Sequence, residues 1–186
     1  MSLKLLFDPF DGTILGAQAV GGSGVDKRID VLATAMTAGI AAAGLADLDL
    51  AYAPPYSSAK DPVNMLGYMA ENILSGECDV VEPDEVAGLV AEGWSLLDVR
   101  SPAEFDTGSI PGATSAPLDD LRHDLATLGP GPFLVYCQVG QRGHTATELL
   151  HELGYTARNL DGGLTTWRAA EAARTGTARS LVRPAW

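Results

Sequence analysis

The hydrophobic positions in the first part of the chain predict a hairpin followed by a helix. Residues 3–7 and 13–20 are short apolar, β-prone runs separated by a turn rich in Pro, Asp and Gly, which is the pattern of a strand pair. From Val25 onward, apolar residues recur at helical spacing over about four turns, with Ser23 or Asp26 as the candidate N-cap. The chain is therefore expected to open with two strands and a helix.

A second helix and a domain boundary follow. Asp61-Pro62 combines an N-cap residue with proline at the first helical position, and the helical pattern continues to about Leu74. The periodicity then fails in a charged stretch. We therefore predict a boundary between a domain at 1–77 and a domain at 78–186.

The second predicted domain shows an alternation of strands and helices. Apolar runs typical of strands occur at 95–99, 132–136 and 156–160, and helical patterns occur at 83–92, 119–127, 143–153 and 163–173. Such alternation predicts a parallel sheet flanked by helices. The sequence thus predicts an α/β fold, preceded by a partial α+β domain.

Composition and charge exclude several kinds of partner. The 186 residues carry a formal net charge of −12 and are 46% hydrophobic, as expected of a globular chain. Both predicted domains are acidic, with 4 basic and 9 acidic side chains up to residue 77 and 8 and 15 after it. We therefore expect neither nucleic acid nor a membrane surface as a partner.

Localisation and redox state are inferred from other features of the sequence. No apolar run approaches the ~18 residues of a membrane span, and acidic residues interrupt the first dozen positions, where a secretory signal would lie. The two cysteines, Cys78 and Cys137, suit free thiols in a reducing, cytoplasmic compartment. His144 and His151 are not surrounded by carboxylates in the sequence, so we expect no metal site.

The clearest chemical signal is Cys137, which directly follows the predicted strand at 132–136. Gly140 and Gly143 lead into a predicted helix, and helix N-termini at the carboxyl ends of parallel strands present unpaired N–H groups to ligands. Arg142 adds a cation to the same turn. These features favour the thiolate, which is the nucleophilic form of cysteine.

Four motifs follow one another in the second predicted domain: 97–105 (LDVRSPAEF), 108–113 (GSIPGA), 135–142 (VYCQVGQR) and 160–167 (LDGGLTTW). They resemble the successive motifs of single-domain rhodaneses, a family of sulfurtransferases. The resemblance covers residues 79–174 and implies a rhodanese-like parallel sheet. It also implies a cysteine that accepts sulfane sulfur as a persulfide and passes it to a second thiol or to cyanide.

The resemblance assigns roles to individual residues. Cys137 becomes the nucleophile, Asp98 and Arg100 become supporting residues, and the sulfur is held by a loop that consists of Gln138, Val139, Gly140, Gln141, Arg142 and Gly143. Two positions depart from the usual pattern. Ser109 stands where the family commonly has His, and Gly143 stands where it commonly has Ser, which removes a hydroxyl from the loop rim and leaves the donor open.

Several roles have two interpretations. Arg142 can point into the loop as an anion contact or outward to solvent, and the motif favours contact. Asp98 and Arg100 can form a structural ion pair, with Glu104 or the loop, or contact the substrate directly, and we favour the ion pair. Cys78 is either an incidental thiol or a resolving cysteine, and the lack of a flanking base or glycine turn favours the first.

Five segments of the first predicted domain carry a second resemblance: 5–8 (LLFD), 14–17 (ILGA), 24–35 (GVDKRIDVLATA), 52–56 (YAPPY) and 60–65 (KDPVNM). On these segments, residues 1–77 resemble the dimerisation domain of coenzyme A disulfide reductases. These enzymes are flavin-dependent pyridine nucleotide-disulfide oxidoreductases, some with a C-terminal rhodanese. The resemblance implies a homodimer, and it implies FAD, NAD(P)H and coenzyme A for the full-length family.

The chain itself is interpreted as a C-terminal piece of such a protein, with no cofactor of its own. A Gly-x-Gly-x-x-Gly dinucleotide turn is missing from the sequence, since the glycines of 21–24 have a different spacing. In the resembling family, a tyrosine of the segment that matches 52–55 reaches the active site of the partner subunit. The resemblance therefore gives that role to Tyr52.

Two functions of different classes remain. The leading hypothesis is an enzyme domain that moves sulfur from a small donor to a thiol acceptor, with coenzyme A or its persulfide implied by the resemblance. The rival hypothesis is a dimerisation module in which 1–77 docks to its own copy and the second domain only senses or carries sulfur. Loop length favours sulfur over phosphorus, because related phosphatases and arsenate reductases have longer Cys-x5-Arg loops, whereas Cys137 to Arg142 is Cys-x4-Arg.

Overall fold

The computed structural model describes residues 1–176. The chain divides into two compact units, Met1–Glu77 and Cys78–Trp186. The end of the second predicted domain, 177–186, lies outside the described residues.

The first unit is a hairpin that packs with helices. Strands β1 (Ser2–Phe7) and β2 (Ile14–Val20) pair antiparallel, and helices α1 (Val25–Thr37) and α2 (Pro62–Leu74) follow, with a short 3-10 helix (Ala43–Asp47) between them. Leu32, Leu45 and Val63 are fully buried and bring the three helices into one core. The predicted hairpin and both predicted helices are therefore present.

The start of α1 differs from the prediction. Its N-cap is Gly24, which has a left-handed backbone and no side-chain cap, so the expectation that Ser23 or Asp26 would cap the helix is wrong. Arg28 stabilises this end instead, because its Nη1 donates to the Gly24 carbonyl over 3.2 Å. By contrast, Asp61 caps α2 as predicted, accepting a hydrogen bond from the backbone N–H of Val63 at 3.1 Å.

The second unit contains a five-stranded parallel sheet. Its strands in chain order are β3 (Val80–Val81), β4 (Ser95–Asp98), β5 (Thr114–Ser115), β6 (Phe133–Tyr136) and β7 (Ala157–Leu160), and their order in the sheet is β3-β7-β6-β4-β5. The alternation of the sequence predicted the three longer strands. The two-residue strands at the sheet edges were not predicted, because two positions are too few to show a period.

Helices cover both faces of this sheet. They are α3 (Val86–Ala91), α4 (Pro102–Asp106), α5 (Leu121–Leu128), α6 (Gln141–Glu152) and α7 (Gly163–Arg174). Alternate residues of the central strand β6 point to opposite faces, so Phe133 and Val135 pack with α5 and α6, while Leu134 and Tyr136 pack with α3 and α7. This arrangement leaves the carboxyl end of β6 as the point where α6 and α7 both begin.

Candidate active site

Cys137 lies at the carboxyl end of β6 and is only 1% exposed. Its Sγ accepts a hydrogen bond from the backbone N–H of Gly140 over 3.2 Å. Gly140 has φ +99°, which favours glycine, and it precedes the first residue of α6. The loop between β6 and α6 therefore curls back over the sulfur, as the sequence predicted.

The start of α7 holds the other side of this loop. The backbone N–H of Leu164 donates to the Cys137 carbonyl at 2.9 Å, and the backbone N–H of Thr165 donates to the Gln138 carbonyl at 3.1 Å. A Cβ atom on Gly163, which has φ +58°, would lie 2.4 Å from the Cys137 carbonyl oxygen. The second glycine of the 160–167 motif is thus required for the close approach of α7 to the loop.

The predicted loop residues differ in their surroundings. Gln138 is held through both polar atoms of its side-chain amide. Its Nε2 donates to Thr165 Oγ1 at 2.9 Å, and its Oε1 accepts from Arg100 Nη1 at 3.4 Å. Val139 is 62% exposed at the tip of the loop, and Gln141 is exposed at the start of α6. These two side chains form the outer rim rather than the wall around the sulfur.

Asp98 and Arg100 form a buried ion pair beneath the loop. Arg100 Nη2 lies 2.6 Å from Asp98 Oδ2, and both side chains are at most 1% exposed. Hydrogen bonding to Asp98 raises the pKa of Arg100. The same guanidinium also reaches the Gly108 carbonyl at 2.9 Å and, through Nη1, the side chain of Gln138. The pair thus supports the loop from below, while the carboxylate of Glu104 bonds Arg142 and acts on Arg100 only through its charge.

Glu104 instead binds Arg142. Two hydrogen bonds of 2.7 Å join the terminal nitrogens of Arg142 to the two carboxylate oxygens of Glu104. The bonds to Arg142 and to the backbone N–H of Ser101 lower the pKa of Glu104 to about 2, and the pKa of Arg142 is raised chiefly by Glu104 and further by the Cys137 thiol group. Arg142 is therefore close to the sulfur but already paired, and it points neither freely into the loop nor freely to solvent.

Gly143 is buried in the first turn of α6. A Cβ atom at this position would lie 2.3 Å from Oδ1 of Asn159, so the Asn159 amide occupies the space that a side chain at 143 would need. This contact gives a physical reason for glycine at a position where the resembling family commonly has serine.

Cys78 does not resemble a second reactive thiol. It is 9% exposed, and burial raises its pKa to about 11, with a further contribution from the charge of Glu148. A thiol with so high a pKa is protonated at neutral pH and is a poor nucleophile. Tyr52, in the other unit, is 53% exposed and lies outside the helices and strands.

Sequence reasoning missed several of these contacts. The pairing of Glu104 with Arg142, the bond of Thr165 to Gln138 and the position of Asn159 each join residues that are at least 19 positions apart. Within residues 1–176, no cluster of three His, Cys, Asp or Glu side chains could hold a metal ion. In the same described range, no helix is long and apolar enough to span a membrane.

Two protein families match the chain. Residues 1–62 match the pyridine nucleotide-disulphide oxidoreductase dimerisation domain, and residues 82–170 match the rhodanese-like domain. The coenzyme A disulfide reductase of Staphylococcus haemolyticus (strain JCSC1435) is 49% identical over 71 residues, which are 38% of this chain and 16% of that enzyme. The same-named enzyme of Staphylococcus aureus (strain bovine RF122 / ET3-1) is 48% identical over 71 residues, with the same coverage.

Two solved structures cover most of the chain. The crystal structure of reduced Bacillus anthracis CoADR-RHD is 46% identical, has a TM-score of 0.89, and is matched over 92% of this chain and 31% of that chain. The structure of a NAD-dependent persulfide reductase from A. fulgidus is 37% identical, has a TM-score of 0.79, and is matched over 89% of this chain and 30% of that chain. The chain thus spans less than a third of each of these two proteins and 16% of the curated coenzyme A disulfide reductases.

These matches confirm the predicted resemblances and the predicted fold class. A dimerisation domain is followed by a rhodanese-like domain, in the order that the sequence motifs indicated. The parallel sheet flanked by helices is the fold expected of the second family. The roles of the individual site residues rest on the geometry described above.

Proposed function

Because residues 82–170 belong to the rhodanese-like family and residues 1–62 to the pyridine nucleotide-disulphide oxidoreductase dimerisation family, we propose that the chain transfers sulfane sulfur through a persulfide on Cys137. The observation that carries this proposal is the hydrogen bond from the Gly140 N–H to Cys137 Sγ, in a loop that encloses the sulfur. A backbone donor at that distance stabilises negative charge on the sulfur without supplying a proton.

The reaction has two steps. The Cys137 thiolate attacks the outer sulfur of a donor R–S–S⁻, an S–S bond forms on Cys137, and the thiolate R–S⁻ leaves with the electron pair of the broken bond. An acceptor thiolate then attacks the outer sulfur of the Cys137 persulfide, takes it as a new persulfide, and releases the Cys137 thiolate. No net oxidation occurs, because the sulfane sulfur only changes its partner.

The residues of the loop and those that support it have different roles in this transfer. The N–H groups of residues 138–142 hold the outer sulfur, and Asp98 and Arg100 keep Gln138 in place beneath them. Arg142 contributes positive charge near the sulfur, and its ion pair with Glu104 partly neutralises that charge. Gly143 leaves room for the Asn159 amide beneath the loop. A small sulfur donor and a thiol acceptor are the partners that this site requires.

Coenzyme A is the acceptor or donor that we favour. The support comes from the relatives named coenzyme A disulfide reductase. The persulfide reductase that matches 89% of the chain supports a persulfide as the form in which the sulfur moves. Among residues 1–176, the glycines at 21–24 lie between β2 and α1 without the spacing of a dinucleotide turn, so these residues do not fit FAD or NAD(P)H. No step of the proposed transfer passes through either cofactor.

Homodimerisation through the first unit, in a cytoplasmic setting, completes the proposal. The match of residues 1–62 to a dimerisation domain supports it. Exposed Tyr52 stands in the segment whose tyrosine reaches the partner subunit's flavin-containing active site in the full-length family, and it has no part in the transfer at Cys137. The rival function, a module that dimerises and only carries or senses sulfur, predicts no turnover.

A turnover assay with thiosulfate and cyanide, together with mass analysis, tests the sulfur transfer. With thiosulfate the leaving group is sulfite, and cyanide takes the outer sulfur of the Cys137 persulfide to give thiocyanate and the free thiolate. We therefore expect thiocyanate to form and a mass increment of about 32 Da, one sulfur atom, to map to Cys137 after incubation with thiosulfate alone. Cys137→Ser should abolish both signals. Thiocyanate production by the Cys137→Ser variant, or an increment on Cys78, would overturn the assignment.

A further inference from the structure

Asn159 is a buried polar residue that the proposed sulfur transfer does not use. It lies on β7, is 6% exposed, and its Nδ2 donates to the Gly140 carbonyl over 3.3 Å. The backbone N–H of His144 donates to the same carbonyl at 2.8 Å, which is the first bond of α6. Asn159 Oδ1 is buried and has no hydrogen-bond partner.

Asn159 and Gly143 share one volume beneath the loop. A Cβ atom on Gly143 would lie 2.3 Å from Asn159 Oδ1 and 3.5 Å from the backbone nitrogen of Cys137. The amide of Asn159 therefore reaches the floor of the loop only because residue 143 has no side chain.

We propose that Asn159 is a positioning residue for the sulfur-binding loop, which acts on Cys137 through Gly140, and that Gly143 is glycine to admit the Asn159 amide. The inference rests on the proposed function of that loop. Gly140 donates its N–H to Cys137 Sγ and receives Asn159 on its carbonyl. Because its φ of +99° is not dictated by a side chain, the direction of its N–H depends on what holds the rest of the residue.

The chemistry of the amide fits this role. The Gly140 carbonyl accepts the first bond of α6 from the His144 N–H, and Asn159 Nδ2 is a second donor to the same oxygen, which an apolar side chain cannot supply. A carboxylate at this position would lack that donor and would add negative charge beneath the loop, which disfavours the thiolate. The orphaned Oδ1 is unfavourable in a buried site, and an apolar residue of the same shape would avoid it. The Nδ2 bond to Gly140 is therefore the contact that explains an asparagine here.

Alkylation of Cys137 by iodoacetamide, measured against pH and mapped by mass spectrometry on the whole chain, tests the inference. The rate follows the thiolate fraction, so it reports on the loop without requiring sulfur transfer. Titratable or cationic groups are also present on the elements that meet at the loop: Asp98 at the end of β4 and Arg100 after it, Glu104 of α4, Arg142 and His144 of α6, Asp161 after β7, and Arg168 of α7. All of them are retained in the variants below.

Asn159→Leu should lower the alkylation rate at neutral pH about threefold to tenfold and move the profile to higher pH, since one hydrogen bond to the loop is lost. Asn159→Asp should move it further, because the hydrogen bond to Gly140 is lost and a carboxylate is placed beneath the loop that holds the sulfur. The matched control is Asn64→Leu in the first unit, where Asn64 is also buried and its Nδ2 donates to the carbonyls of Leu45 and Leu48. This control should leave the Cys137 profile unchanged.

Gly143→Ala tests the same contact without altering Asn159. The Cβ of the new alanine must displace the Asn159 amide, so the alkylation rate of Cys137 should fall. In an Asn159→Ala background, the further change Gly143→Ala should have almost no effect on that rate, because the amide is already gone. Folded Asn159 variants with the wild-type profile, or a Gly143→Ala variant with that profile, would overturn the inference. Failure of the wild type to gain sulfur on Cys137 would instead reject the proposed transfer and leave this comparison decisive for Asn159.

Discussion

Arg142 and Glu104 are joined by two parallel hydrogen bonds of 2.7 Å, one from each terminal nitrogen of the guanidinium. Both side chains are more than a third exposed, so the pair stands at the mouth of the loop and not in the core. An anionic donor that approaches Cys137 meets an arginine whose charge is already matched. The cation beside the sulfur is therefore available to a donor only in competition with Glu104.

Glu104→Gln should increase kcat/KM for dianionic thiosulfate about tenfold relative to a singly charged organic persulfide, because a charge-assisted contact to Arg142 becomes free. The matched control is Glu152→Gln, which removes the carboxylate that lies 3.9 Å from Arg122 in a well-exposed pair. Steady-state kinetics with both donors give the ratio. An unchanged ratio would mean that Arg142 shapes the loop without selecting the donor.

Acid should weaken the second unit through the same pair. The pKa of Glu104 is lowered from 4.5 to about 2 in the folded chain, chiefly by Arg142. The stabilisation is therefore fully present above pH 4.5 and is lost as the pH falls through about 2. Urea unfolding at pH 6 and at pH 2 should show a smaller acid loss for Glu104→Gln than for the wild type. Equal losses in the two proteins would contradict the assignment.

Cys78 should be chemically silent at neutral pH. Burial raises its pKa to about 11, so its reaction with iodoacetamide should be slow at pH 7 and should rise about tenfold per pH unit towards pH 11. Cys78→Ser should leave most of the sulfur transfer intact. Loss of transfer in a folded Cys78→Ser variant would instead indicate a resolving role for this thiol.

Gly163→Ala should destroy sulfur transfer and destabilise the second unit, because its Cβ would lie 2.4 Å from the Cys137 carbonyl oxygen and 3.0 Å from the Gly140 nitrogen. Gly88→Ala in α3 provides the control, since a Cβ there meets nothing within 4 Å. That control should be neutral or stabilising by about 0.5–1 kcal/mol. The test is to measure the thermal unfolding temperature and the turnover of both variants. Equal values for Gly163→Ala and Gly88→Ala would contradict the claim that α7 approaches the loop too closely for a side chain at 163.

The first unit should mediate a homodimer. Leu6 and Val20 lie on the two strands of the hairpin, at 58% and 73% exposure, and exposed apolar side chains of this kind favour association. We expect the whole chain to scatter light as a dimer, and a double substitution Leu6→Glu and Val20→Glu to convert it to a monomer. Val90→Glu, at an exposed position of the second unit, is the control. A version that begins at Asp79 should be monomeric. If the double variant and the shortened version both remain dimers, the interface does not lie on the hairpin of the first unit.

The sequence predicted the main elements and the sulfur loop because their signals are local. Strand β6 is a continuous apolar run, and the glycines and arginine that follow Cys137 lie within six positions of it. Helix α4 was not predicted, although Ser101 and Glu104 form a capping box with Pro102, because its five residues are too few to show a helical period.

The remaining contacts depend on which strands become neighbours. In the sequence, Asn159 is indistinguishable from any other strand residue. Its contact with Gly140 forms because β7 pairs with β6, and this pairing is known only from the structure. Likewise, Glu104 and Arg142 meet because α4 and α6 begin at the carboxyl ends of adjacent strands. Pairings of this kind are set by the sheet order, which a single sequence does not encode in any local pattern.

The central place of β6 also determines which partner must move during the reaction. All four residues of β6 are buried and strands pair with β6 on both sides, and Cys137, which follows directly, is itself only 1% exposed. In the proposed transfer, a carrier would therefore have to bring its sulfur to a buried Cys137, either on an extended arm or as a small ion. A bulky molecule whose sulfur lies flush with its own surface would then be a poor donor.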